Sequence, residues 1–191
     1  FKAILKDGGR VKAVKINEAE KYSRKVIDQL TDWLKEQYKV KGLAWMKCLK
    51  EDSLEGGISK FFDSDVQSKI INENKISKGD ILFIIGDKQK IVLSALGALR
   101  IELAKRSNSI DENKWAPLWI VDFPLFEWND DHERWDSLHH PFTSPNLEDI
   151  ESLDKNPGEI RSLGYDIVMN GYEIGGGSIR IHDKKLQSKI F

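Results

Sequence analysis

The run Gly171-Tyr172-Glu173-Ile174-Gly175-Gly176-Gly177-Ser178-Ile179-Arg180 places a carboxylate two residues before three consecutive glycines and a guanidinium three residues after them. Tyr172, Ile174 and Ile179 favour a strand, whereas the glycines weaken one. Glycines inside a strand mark a place where another group approaches bare backbone, because glycine has no Cβ. Opposite charges on either side of that backbone suit a zwitterionic or phosphorylated ligand. The competing reading is a flexible hairpin with two solvated charges.

Asp166 precedes Glu173 by seven residues. Two adjacent strands can bring residues at that separation to one site. The pair reads either as ordinary surface acids or as ligands of Mg²⁺, which takes one or two protein carboxylates plus phosphate oxygens and water. His139 and His140 are adjacent, so on a strand they would point to opposite faces and only one would easily face a ligand. With no cysteine nearby they make a weak zinc signature. His132 and His182 have no partners at ligand spacing and read as surface residues. Cys48, the single cysteine, excludes an internal disulfide and fits a reducing compartment. It lies in an amphipathic strand pattern and reads as core. No nucleophile–base pair stands out.

The elements that must position these groups follow from periodicity. Val11 to Ile16 alternates as a strand. Ser23 can cap a helix with Val26, Ile27, Leu30, Trp33 and Leu34 on one face. Leu43 to Leu49 is a strand with Met46 and Cys48 on one side, and Ile58 to Phe62 reads as another. Ser64 or Asp65 can cap a helix carrying Val66, Ile70 and Ile71. Ile81 to Ile85 is a buried strand, and Gln89 to Arg106 a helix with Val92, Leu96, Leu99 and Leu103 as its stripe. Three helices interleaved with about four strands give a two-layer α+β unit, helices on one face of an antiparallel sheet. The polar stretch near Ser107 marks a boundary, giving domains 1–107 and 108–191. In the second, Trp115 to Trp128 reads as one long strand interrupted by Pro124, followed by a turn at Asn129-Asp130-Asp131 and a return strand to Leu138. A loop with a short helix near Leu147 to Leu153 precedes two strands joined at Gly171 and a helix from Lys184 to Ile190. No βαβ pattern or dinucleotide fingerprint is present.

Thirty basic against 31 acidic residues argue against a dominant electrostatic grip on nucleic acid. No apolar run is long enough to span a bilayer.

In this order, Trp119-Ile120-Val121-Asp122-Phe123-Pro124-Leu125-Phe126-Glu127, Leu138-His139-His140-Pro141-Phe142-Thr143, Tyr165-Asp166-Ile167-Val168-Met169-Asn170 and the Gly171–Arg180 run resemble the back half of the catalytic domain of bacterial-type aspartyl-tRNA synthetases. Residues 1–107 resemble the GAD insertion domain of the same family. The resemblance implies an α+β class II catalytic segment and an enzyme that activates L-aspartate with ATP and Mg²⁺ and loads it onto tRNA. It implies that His139 and Arg180 contact aspartate, with His140 a further candidate, that Glu173 serves ATP, and that Asp166 and Glu173 hold the metal. It also implies a cytoplasmic, homodimeric parent. The family's three signature motifs and its anticodon-binding barrel are not found. The expectation is therefore an internal fragment, monomeric and inactive alone. The alternative is a stand-alone GAD-type module that binds tRNA or protein without catalysis.

Overall fold

The five-residue apolar run Ile81–Ile85 does not alternate, which is the pattern of a strand covered on both faces. The computed structural model, which describes all 191 residues, shows why. The chain divides into two compact units, Phe1–Ile110 and Asp111–Phe191. The first contains α1 (Lys2–Lys6), β1 (Arg10–Asn17), α2 (Arg24–Tyr38), β2 (Ala44–Lys50), β3 (Ser53–Glu55), α3 (Ser64–Glu73), β4 (Asp80–Asp87) and α4 (Gln89–Arg106). Its antiparallel sheet has the order β1-β4-β2-β3, so β4 lies inside.

Ile81, Phe83 and Ile85 pack against Ile27, Leu30 and Leu34 of α2 and Val92, Leu99 and Leu103 of α4. Leu82 and Ile84 face the other way, with Met46, Cys48, Leu54 and Ile71 of α3. The expected two-layer unit with helices on one face is thus corrected to helices on both. Met46 and Cys48 are 0% and 1% exposed; leaving that second apolar surface in water would forfeit the burial that drives folding, and α3 covers it. Ser23 caps α2, accepting from the Val26 N–H at 3.4 Å. Asp63, not Ser64 or Asp65, caps α3, accepting from the Val66 N–H at 2.8 Å. Ile58–Phe62 is not a strand: Ser59–Phe61 forms a 3-10 turn, and the edge strand that pairs with β2 on the side away from β4 is the shorter β3.

The second unit contains β5 (Pro117–Ile120), β6 (Phe126–Asn129), β7 (Arg134–Ser137), β8 (Gly164–Met169), β9 (Tyr172–Ser178) and α5 (Lys184–Ile190). β5, β8 and β9 form an antiparallel sheet in that order, and β6 and β7 a separate hairpin. Trp115–Trp128 is therefore two strands in two sheets. The break falls where Asp122 adopts φ 56° and Pro124, which has no N–H to give a ladder, makes an isolated bridge to Arg161. The core is small: Leu125, Phe126, Leu153, Ile160 and Ile190, with Ile181 and Leu186 against it. No helix is long and apolar enough to cross a membrane.

Candidate active site

β8 and β9 are joined by Asn170 (φ 52°) and Gly171 (φ 87°). Positive φ at both central residues is the turn whose twist matches a hairpin. Asn170 also fastens the start of β5: its Oδ1 accepts from the Ala116 N–H at 2.9 Å and its Nδ2 donates to the Lys114 carbonyl at 2.8 Å.

Along the hairpin Asp166 pairs with Gly176 and Ile167 with Gly175, but Val168 pairs with Glu173. Ile174 is an extra residue, a β-bulge. Directly opposed residues project to one face, and residues two apart share it. Without the bulge, Glu173 and Gly176, three apart, would lie on opposite faces. The bulge restores Glu173 to the face of Asp166 and Val168.

The glycines answer to the neighbouring strand. A Cβ on Gly176 would lie 2.2 Å from Oδ1 of Asp166, and one on Gly177 would lie 2.9 Å from the Tyr165 hydroxyl oxygen. At Gly175 the nearest atom would be 3.7 Å away. Two of the three glycines thus make room for the Asp166 carboxylate and the Tyr165 ring.

Beyond β9 the chain is gripped by the segment 142–144. The Ser144 N–H donates to the Ile179 carbonyl at 2.8 Å and the Ile181 N–H to the Phe142 carbonyl at 2.9 Å, and Thr143 bridges Arg180. The hydroxyls of buried Thr143 and Ser178 lie 3.1 Å apart. This grip brings His139, His140, Asp166 and Arg180 to one open cavity of about 170 Å³, whose walls also include Phe123, Tyr165 and Gly177. Phe123 holds His139 edge-on, ring centroids 4.7 Å apart. Nδ1 of His140 accepts from the Phe142 N–H at 3.1 Å, which leaves the proton of the neutral ring on Nε2. Both histidines line the cavity. The alternation expected of a strand does not apply, because β7 ends at Ser137 and the chain bends through Leu138 and His139. Arg180 is exposed and is in no ion pair, so its guanidinium is not consumed by a protein carboxylate. Glu173 is exposed and does not line this cavity. His132 and His182 lie outside it, exposed.

Thr143, Ser178, Tyr165 and Phe123 were not singled out from residue type. Hydroxyl and aromatic side chains are too common for type alone to mark them; only the chain crossing at 142–144 brings them in.

A latch between Arg161 and Asp149 lies next in sequence to Ser162, whose N–H donates to the Phe123 carbonyl at 2.6 Å. The guanidinium of Arg161 forks onto Asp149 (Nε to Oδ2 and Nη2 to Oδ1, both 2.9 Å), and the Arg161 N–H donates to Asp149 at 3.0 Å. These hydrogen bonds hold the Asp149 carboxyl down to about 2. With a depressed folded-state pKa, the stabilisation is full above the ordinary aspartate value near ~4 and is lost as pH falls through about 2. Carbon-13 carboxyl shifts followed against pH should show Asp149 titrating at about 2, and Arg161→Ala should return it toward ~4. A wild-type midpoint already near ~4 would show that the latch does not form.

By fold, the chain is a mixed α/β protein with antiparallel sheets, and its second unit carries a small open cavity lined by His139, His140, Asp166 and Arg180. The GAD domain family matches residues 1–96, half of the chain, and the chain belongs to that family. Across its full length the chain is 46% identical to the aspartate–tRNA ligase of Clostridium botulinum (strain Eklund 17B / Type B). It is 45% identical to the aspartate–tRNA(Asp/Asn) ligase of Bacillus anthracis and 44% to that of Caldanaerobacter subterraneus subsp. tengcongensis. Each alignment covers 100% of this chain and 32% of the relative, so the chain spans about a third of the length of the curated relatives it matches. The resemblance to bacterial aspartate–tRNA ligases therefore extends over the whole chain.

Proposed function

We propose that this chain is part of an aspartate–tRNA ligase, an enzyme that activates L-aspartate with ATP and transfers it to tRNA, and that it holds the amino-acid side of the site. The observation that carries this reading is the unpaired guanidinium of Arg180 at one cavity with His139, His140 and Asp166, in a chain so similar to ligases of that name. Arg180 offers a bidentate fork to the side-chain carboxylate of aspartate. His140 has Nε2–H to donate beside it, and His139 is oriented by Phe123.

Asp166 and Glu173 supply two carboxylates on one sheet face and no third His, Cys, Asp or Glu completes a cage. That set fits Mg²⁺ shared with substrate phosphates, since Mg²⁺ keeps waters and takes few protein ligands. The ion would neutralise phosphate charge. The protein's own work is to hold aspartate in line and to position those carboxylates. In this reading residues 1–107 are the insertion domain and 108–191 part of a class II catalytic domain in a cytoplasmic homodimer, with the isolated chain monomeric.

The test is a graft. This chain replaces the aligned third of the Clostridium botulinum ligase, and aspartate-dependent ATP–pyrophosphate exchange is measured. Exchange near the parent rate is expected, and none from the isolated chain. A folded, dimeric graft that has lost exchange would overturn the reading.

A further inference from the structure

His140, which lines the cavity, also opens a turn. The Thr143 N–H donates to the His140 carbonyl at 2.9 Å, which closes a β-turn with Pro141 and Phe142 at its centre. Proline suits the first central position because its ring fixes φ. The peptide unit between Pro141 and Phe142 is held at both ends. Its N–H, on Phe142, donates to Nδ1 of His140 at 3.1 Å. Its carbonyl, on Pro141, accepts from Nε2 of Gln187 at 3.0 Å.

In a planar trans peptide the carbonyl and the N–H point in opposite directions, so a donor that fixes one aims the other. A carbonyl that accepts a hydrogen bond also makes its own N–H a stronger donor. The turn with this peptide reversed needs positive φ at its second central residue. Phe142 does not have it, and a bulky residue would be strained there. Sterics thus exclude the reversed peptide, and Gln187 fixes the tilt that remains.

Gln187 comes from α5, whose seat does not depend on the cavity. Asp183 caps the helix, accepting from the Leu186 N–H at 2.8 Å. Ile190 is buried with Leu153 and Ile160, and Lys189 pairs with Asp154. Phe191, at the end of α5, meets Phe142 edge-on, centroids 5.7 Å apart, and Phe142 in turn meets His140 at 5.0 Å. Gln187 itself is half-buried and does not line the cavity, so it acts on the site through this turn.

We propose that Gln187 is a positioning residue: by holding the Pro141 carbonyl it aims the Phe142 N–H at Nδ1 of His140 and so keeps the proton of the neutral ring on Nε2, the nitrogen left to donate to a substrate carboxylate. The consequence for substrate rests on the aspartate reading given above; the effect on His140 does not.

The test is the side-chain ¹⁵N spectrum of the histidines in the full chain, in alkaline buffer where imidazole is neutral. Wild-type His140 should show one tautomer, Nδ1 bare and Nε2 protonated. Gln187→Met and Gln187→Glu keep the length of the side chain and remove its donor. In both, the Nδ1 and Nε2 signals of His140 should converge as the two tautomers exchange, with His132 and His182 unmoved. Gln187→Glu also keeps the shape, so a role in packing alone would leave its spectrum like that of the wild type. L-Aspartate should bind both variants about three- to tenfold less tightly. A wild-type His140 with its proton on Nδ1 would overturn the proposal, whether or not the variants fold. So would an unchanged His140 in either folded variant, or a changed tautomer with undiminished aspartate affinity. A wild-type chain that ignores aspartate would count against the aspartate reading, and the tautomer would still decide the role of Gln187.

Discussion

Arg180→Ala is expected to weaken the interaction with L-aspartate by about ten- to a hundredfold, read as the change in aspartate dissociation constant and kcat/KM in the grafted ligase. A charge-assisted hydrogen-bonded pair contributes about 1.5–3 kcal/mol. The larger penalty of about 3–5 kcal/mol for stranding a buried charge does not apply, because Arg180 is exposed and its partner would regain water. Arg180→Lys should recover only part of the loss, since an ammonium cannot fork onto a planar carboxylate. Glu173→Gln should leave aspartate affinity within about twofold and depress the ATP-dependent step, because Glu173 lies outside the cavity that Arg180 lines. If both variants lose both substrates equally, the division of labour along β9 is wrong.

Phe83→Ala should have the largest effect on stability, about 3–5 kcal/mol. Phe83 is 0% exposed in the inside strand of the first sheet and meets Tyr22 edge-to-face, centroids 5.4 Å apart. Its ring belongs to the buried cluster formed with residues of α2 and α4. Against a typical domain stability of about 5–15 kcal/mol the loss is a large share. Urea unfolding followed by amide signals of residues 1–110 should show a lower midpoint with an unchanged slope. A loss below about 1 kcal/mol would mean that the core there repacks freely.

Local signals located most elements of the fold. The helix Gln89–Arg106 and the helix Lys184–Ile190 begin and end where periodicity put them, and Ser23 caps as its position suggested. What periodicity does not carry is how many faces of a sheet are covered. The unbroken run Ile81–Ile85 held that information, and α3, with Ile70 and Ile71 adjacent, is the helix that supplies the second cover. The bend at Leu138–His139 was hidden because no glycine or positive φ marks it, so two adjacent histidines looked mutually exclusive when both line one cavity. The bulge at Ile174 was equally silent: isoleucine fits a regular strand, and only the register against β8 shows the extra residue. The triple glycine was legible as a close approach. The approaching groups turned out to include Tyr165 and Asp166 of the chain itself.

The proposed aspartate site can be tested most directly on the chain's four histidines, which form their own control. His139 and His140 line the cavity, whereas His132 and His182 do not. Side-chain ¹⁵N resonances would be followed as L-aspartate is added to high millimolar concentration. The structure predicts saturable shifts at His139 and His140, abolished by Arg180→Ala, with His132 and His182 unmoved. Four unmoved histidines, or four that drift together, would contradict an aspartate site at Arg180.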